Sequence, residues 1–277
     1  MSAKQAAVIG FMRADHPSRM SWRRWGLRPF YPVIGGGLLL GLWWLGGFII
    51  QHDSRISSFS GFAPAPTFRT LYHLIASGAL WGIAAPSMYR IGMGLFWAIL
   101  IGVPFGVGVG LFKEVREITH FPFQFLRMIS PLSWMPVAVL TFPSWDGAII
   151  FLIAMAAVWP VLFSTAQGVR RIDPLWFKVA RNLGGNGFQL LRRIIIPAVG
   201  QDIFAGIRLA LGVAWIVLVP AEYLGVTSGL GYAINDARDS FDYSTVTAMV
   251  LAIGVIGFFL DAICVSMIKK FSWHQEG

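Results

Sequence analysis

Residues 170–197 read Arg170-Arg171-Ile172-Asp173-Pro174-Leu175-Trp176-Phe177-Lys178-Val179-Ala180-Arg181-Asn182-Leu183-Gly184-Gly185-Asn186-Gly187-Phe188-Gln189-Leu190-Leu191-Arg192-Arg193-Ile194-Ile195-Ile196-Pro197. This polar, basic stretch sits between two apolar runs at 147–169 and 199–221, each close to the ~20 residues a helix needs to cross a bilayer. The chain therefore leaves the membrane here and returns to it. Asp173 suits a helix N-cap and Pro174 the first helical position, so the start of a helix is specified locally. Gly184 and Gly185 end that helix, and a second short helix follows, ending near Pro197. The expected product is a compact helix-turn-helix with a basic surface. Its apolar Leu175, Trp176, Phe177, Phe188 and Leu190 are expected to be exposed, and exposed apolar side chains invite a docking partner.

The rest of the chain repeats the apolar theme. Of 277 residues, 56% are hydrophobic and 13% charged, against about 25% charged in a soluble domain. Further runs long enough to cross lie at 29–50, 90–112, 124–142 and 245–268, which with the two above gives six crossings of an all-α polytopic protein. Residues 67–89 are interrupted by Arg69, His73 and Pro86, and read as an amphipathic or re-entrant helix at the outer face. The first run is longer than a signal-peptide core and is expected to stay as a helix. Lys and Arg then orient the set, because they are retained on the cytoplasmic side. Lys4 to Arg28, Lys113 and Arg116, Arg170 to Arg193, and Lys269 and Lys270 all fall on one side, so both termini are expected in the cytoplasm. The net charge of +9 is spread between apolar runs rather than over one folded face, which argues against nucleic acid as a partner.

Within the second run Gly102, Gly106 and Gly110 recur every four residues, a face on which another helix can approach closely. Pro104, Pro131, Pro136 and Pro160 lie inside runs and suit bent helices around a cavity. Chemistry of other kinds finds no support. No phosphate-cradling Gly-x4-Gly-Lys-Ser/Thr is present. His16, His52, His73, His120 and His274 are scattered without metal or triad spacing, and the single Cys264 allows no intrachain disulfide. No metal, cofactor or catalytic residue is expected in this chain.

Lys178-Val179-Ala180, Gly184 and Ile194-Ile195-Ile196-Pro197 stand at the spacing of the Glu-Ala-Ala, three residues, Gly, nine residues, Ile-x-Leu-Pro motif. In this the chain resembles the permease subunits of binding-protein-dependent ABC importers. Lys178 departs from the motif's glutamate and reverses the charge there. Arg127-Met128-Ile129-Ser130-Pro131-Leu132-Ser133-Trp134-Met135-Pro136, Gly206 to Trp215, Ala221-Glu222 and Ser228-Gly229-Leu230-Gly231-Tyr232 are similar to segments of the nitrate, sulfonate, taurine and bicarbonate permeases. The resemblance covers about 67–270 and implies a type I ABC importer fold, with a coupling loop at 173–197 that docks on a cytoplasmic ATPase. It assigns coupling roles to Asp173, Pro174, Lys178, Ala180, Arg181, Gly184, Gly187, Ile194 and Pro197. ATP and Mg would be bound by two partner ATPase subunits, and solute would be delivered by a periplasmic or lipid-anchored binding protein. A second copy of the chain would complete the path in a bacterial inner membrane. Around this core lie a basic segment at 1–28, a first transmembrane helix with its outer loop at 29–66, and a cytoplasmic tail at 271–277.

Ionisable side chains at membrane depth are functional candidates. Arg208, Arg127 and Arg90 are candidates for an anion path, because a guanidinium offers planar bidentate bonds to oxyanions. The alternative for each is a partner between helices: a carbonyl, Glu222, Asp202 or Asp261. Trp134, Met135, Trp159 and Trp215 are candidates for an apolar gate, and Glu222 completes the path candidates. A small anion, nitrate-like first and sulfonate, taurine, bicarbonate or cyanate otherwise, is the expected solute. A membrane assembly protein is the weaker alternative, since it leaves the coupling-loop spacing unexplained.

Overall fold

The computed structural model describes residues 30–53, 55 and 57–272. The basic segment 1–28 lies outside the described residues, as does the tail from 273 onward. The chain divides into two units, Met1–Ser57 and Ser58–Gly277. In the first, α1 (Tyr31–His52) is a single apolar helix long enough to cross a membrane.

The second unit holds α2 (Pro64–Ala76), α3 (Ala79–Leu111), α4 (Lys113–Met128), α5 (Met135–Thr141), α6 (Trp145–Arg171), α7 (Pro174–Asn182), α8 (Gly187–Leu190), α9 (Ile196–Gly225), α10 (Leu230–Asp239) and α11 (Tyr243–Ser272). Its boundary falls before 67 because the outer loop is already part of this packing. Phe59 and Phe62 lie 5.1 and 4.9 Å from the Tyr243 ring, and Gly61 lies against Tyr243 and Ser244 with no room for a Cβ.

The spine of the unit is α3 against α6, running in parallel. A Cβ on Gly94 would strike Ile153, one on Gly102 would meet Val161 at 3.0 Å, one on Gly106 would meet Thr165 at 2.7 Å, and one on Gly110 would meet Val169 at 2.6 Å. Both helices thus repeat every four residues, and the absent side chains of α3 are filled by the branched ones of α6. Ala98, Leu152, Ile153, Ala157 and Val161 are buried there, and Ala210, Ala214 and Leu218 of α9 close the other side of α6. Gly206 of α9 is equally constrained, since a Cβ would lie 2.8 Å from the Ser164 Cβ.

Three segments differ from the sequence expectation. First, the second span starts at Ala79, not at 90: α2 alone is the short outer helix, Gly78 (φ +76°) makes the turn, and α3 runs 33 residues through Pro86 and Arg90. Arg90 does not end an apolar run because its charge is buried against Glu222. Second, 124–142 is not a continuous helix. α4 ends at Met128, Ile129 and Ser130 are extended, and a turn of 3-10 helix at Pro131–Trp134 leads into α5, the two arms making an angle of 87°. Pro131 drives the residue before it out of the helical region, which breaks the span. Third, the second loop helix does not stop near Pro197. α8 passes through a widened π turn at Leu191–Ile195 directly into α9. Pro197 has no N–H to give the carbonyl four residues back, and a wider turn absorbs that mismatch. Among the described residues five helices are long and apolar enough to cross, six when the bent pair forms one span.

Asp242 anchors the start of α11, accepting from the Thr245 N–H and Oγ1 at 3.1 and 2.6 Å and from the Ser244 Oγ at 2.7 Å. Partial burial works against its charge, but these donors outweigh it and hold the carboxyl below the ordinary aspartate range.

The spine yields a paired prediction. Gly106→Ala should lower the unfolding temperature of the purified protein, because overpacking costs about 1–3 kcal/mol. Gly108→Ala, two residues away with open space around it, should leave it unchanged or raise it.

Candidate functional site

The loop between α6 and α9 is specified by its own side chains. The Asp173 carboxylate accepts from the Leu175 N–H at 2.8 Å, and Pro174 opens α7. Gly184 then takes φ +77°, its N–H reaches the Arg181 carbonyl at 3.0 Å, and the Gly185 N–H reaches the Ala180 carbonyl at 2.9 Å. That left-handed residue is where a side chain is disfavoured. Asn186 and Gln189 cap α8 reciprocally at 2.9 and 3.1 Å.

Of the five apolar residues expected at its surface, Leu175, Trp176 and Phe188 are exposed, each above 60%. Val179 and Leu183 join them. Leu190 is buried and Phe177 packs against the cluster of Val169, Ile195 and Val199, so these two anchor the hairpin rather than present it. The helical period explains the division: Trp176 and Phe177 are adjacent and must face apart. Lys178 and Arg181 are exposed beside the apolar face. Behind the hairpin a cavity of about 540 Å³ is lined by Arg171, Asp173, Trp176, Arg193, Ile194 and Pro197, with Arg171 paired to Asp202 at 3.1 Å.

The path candidates separate into distinct places. Arg90 and Glu222 meet in a sealed cluster where α3 passes the C-terminal end of α9, 2% and 0% exposed, with Arg90 Nη1 2.5 Å from Glu222 Oε1. Arg90 Nε donates to Asp146 at 2.8 Å, and its two terminal nitrogens donate to the Ser228 carbonyl and hydroxyl at 2.9 and 2.8 Å. Glu222 also accepts from the Ser87 hydroxyl at 2.8 Å and the Gly231 N–H at 3.0 Å, while Ser87 Oγ accepts from the Leu230 N–H at 2.9 Å. Ser228 falls in a segment that the sequence marks, but nothing there pairs it with Arg90, and Asp146 and Ser87 are not among the sequence candidates. Asp146 gave a signal, being the one charge in a short outer loop, but a serine in an apolar helix gives none.

Arg127 lies in the last turn of α4, 5.4 Å over the Phe163 ring. With Trp159, Ser164 and Gln167 it lines a cavity of about 620 Å³ beside the broken span. Trp134 and Met135 pack on the core instead, Met135 lying with Trp145 against Gly225. Arg208 makes a two-point pair with Asp261 of α11 at 2.6 and 2.8 Å. Trp215, on the same side of α9, lies against Gly257 of α11, its Nε1 2.9 Å from where a Cβ would stand.

Among the described residues, five apolar helices, a broken span and a capped hairpin define a polytopic helical membrane protein. Residues 94–272 match the family described as binding-protein-dependent transport system inner membrane component, and the chain belongs to that family. It is 35% identical over 214 residues to a putative aliphatic sulfonates transport permease protein of Bacillus subtilis, covering 77% of this chain and 78% of that one. It is 40% identical over 141 residues to a bicarbonate transport system permease protein of Synechococcus elongatus, covering 50% of each. A nitrate import permease protein of Leptolyngbya laminosa is 35% identical over 141 residues, covering 51% of this chain and 50% of that one. The chain thus spans about half the length of the bicarbonate and nitrate relatives. In fold it is similar to a chain of a methionine ABC transporter solved in inward-facing conformations, with a TM-score of 0.57 at 12% identity over 70% of this chain and 95% of that one. The type I importer fold and the inner-membrane permease class read from the sequence both hold.

The sealed cluster sets a test. Glu222→Leu leaves Arg90 short of an acceptor and should cost about 3–5 kcal/mol, seen as a fall in the amount of folded protein recovered from membranes. Arg90→Met added to Glu222→Leu should recover much of the loss, since no charge then lies buried without a partner.

Proposed function

We propose that this chain is the permease subunit of an ATP-driven importer that carries a small anion, nitrate-like first, from the periplasm to the cytoplasm. Bicarbonate, sulfonates or taurine, and cyanate are the alternatives within the same class. The observation that carries the reading is the hairpin Asp173–Leu190: a locally capped element with an exposed apolar face and flanking cations, on a chain of this family. Such a face fits a groove on a cytoplasmic ATPase. Two copies of the chain would pair to enclose the path, with one ATPase under each and ATP and Mg held there. A binding protein would deliver solute from outside, and both termini would lie in the cytoplasm.

The continuity of α8, the π turn and α9 supplies the mechanical link. Displacement of the hairpin by a closing ATPase is transmitted along a helix that carries Arg208 and Trp215, so docking at one end reaches the path at the other. Arg208, Trp215, Arg127 and Trp159 are the residues offered to the solute in this reading, and Trp134, Met135, Arg90 and Glu222 support the helices around it.

The reading is tested by purifying the chain with its cognate ATPase and binding protein, and measuring ATP hydrolysis in vesicles with nitrate, bicarbonate and taurine in turn. Stimulation by one of these supports it, and a chain that binds no ATPase overturns it. Gly184→Leu should keep the chain inserted but uncouple uptake from hydrolysis, because a left-handed residue with a side chain costs roughly 1–2 kcal/mol and redirects α7. Normal solute uptake by this variant would refute the role given to the hairpin.

A further inference from the structure

Arg208 and Asp261 are each nearly half exposed, at 46% and 47%, although both stand on helices long enough to cross the membrane. Arg208 lies about 18 Å along α9 from Ile196 at 1.5 Å per residue, well inside the hydrocarbon depth. Charges left open at that depth do not face lipid; they face water or another protein surface. The geometry of the pair is specific as well. Arg208 Nε and Nη2 address the two oxygens of one carboxylate, at 2.6 and 2.8 Å, a side-by-side fork. Nitrate and bicarbonate are planar and present a pair of oxygens as a carboxylate does, and a sulfonate offers two of its three.

We propose that Arg208 is an exchangeable oxyanion site in the translocation path, in which the Asp261 carboxylate occupies the guanidinium fork that the passing solute takes. This rests on the reading of the chain as an anion importer and goes beyond it by giving Asp261 a part in the exchange at Arg208. Asp261 acts as a built-in competitor. It keeps the fork satisfied when no solute is present, and it returns to the fork when solute moves on, so that the site holds anions weakly and releases them. Trp215 against Gly257, one turn from Asp261 on α11, fixes the contact of the two helices and hence the register that brings the pair together.

The chain's single cysteine, Cys264, supplies a reporter one turn beyond Asp261 on α11 and partly exposed. The permease with its ATPase is placed in nanodiscs and treated with the anionic thiol reagent sulfonatoethyl methanethiosulfonate, and modification of the permease chain is followed by mass. Cys264 should react, and nitrate, but not an equal concentration of chloride, should slow the reaction. Asp261→Asn should lower the nitrate concentration giving half protection by about tenfold, because the fork no longer has its internal ligand. Arg208→Gln should abolish protection. Arg208→Lys, which keeps an ion pair and so preserves assembly, should weaken it because the planar fork is lost. A Cys264 that is inert to the aqueous reagent, or nitrate protection that survives both Arg208 variants, overturns the site. Uptake of nitrate, bicarbonate and taurine by the wild-type complex separates the two failures. An importer that carries one of these yet shows protection indifferent to Arg208 leaves the proposed function standing and removes this site, whereas one that carries none of them removes both.

Discussion

A guanidinium and a carboxylate sealed from water must satisfy each other and nearly every remaining lone pair and proton, or the fold loses more than the pair returns. Arg90 and Glu222 meet that demand by drawing in Asp146 at the start of α6, Ser87 on α3, Ser228 in the outer loop and the backbone at Leu230 and Gly231. Elements remote in sequence are thereby tied at one point. The loop can enter the cluster only because two of its residues have no side chain: a Cβ on Gly229 (φ +108°) would collide with the Glu222 carboxylate, and one on Gly231 with the Val219 carbonyl. The motif Ser228-Gly229-Leu230-Gly231 is in this sense a consequence of the buried charge.

With the outer ends held in this way and α3 welded to α6 by the glycine face, freedom is concentrated elsewhere. α7 has no buried residue and α4 has none, and low burial marks the elements that open at small cost. The break at Ile129–Ser130 separates α4 from the core contacts of Trp134 and Met135. Firm packing around the buried cluster and looser packing at α4 and α7 thus divide the fold.

Much of this was legible in the sequence, and the limits have physical causes. The caps of the hairpin, the glycine face of α3 and six crossings follow from local rules: side-chain acceptors at helix starts, small residues every four positions, apolar length. Boundaries failed where a charge or a proline was given its solitary meaning. In the sequence Arg90 marks the start of a span, as an unpaired cation would, and only the fold reveals that Glu222, more than a hundred residues away, removes the penalty. Pro131 lies within an apolar run, yet its effect on Ser130 breaks that span, whereas Pro197 merely widens a turn. Composition does not distinguish these outcomes, since they depend on whether neighbouring helices accept the freed backbone groups. In the loop, the exposed face was identified but Phe177 and Leu190 were assigned to it wrongly, because their burial comes from Val169 and Val199 on other helices.

Arg90–Glu222 and Arg208–Asp261 both join helices long enough to cross a membrane, and the comparison between them explains why one is structure and the other a candidate for function. Both have near-ideal distances, so geometry alone does not separate them. What differs is the number of further ligands and access to water. Arg90 has four acceptor groups around it and no open side; removing any one leaves a buried charge short of a partner, and the arrangement resists exchange. Among the described residues Arg208 has the one partner, Asp261, and an open side. An incoming anion can approach without first being stripped by protein, and water can solvate Asp261 as it leaves, so the change of partner passes through no bare charge. The placement of the two follows the mechanical division of the fold. Glu222 sits near the end of α9 that is tied to the outer loop, while Arg208 sits between that anchor and the π turn leading to the hairpin. Under the proposed coupling, a pull on the hairpin would alter the register of α9 against α11 at Arg208 while the sealed pair holds the far end fixed.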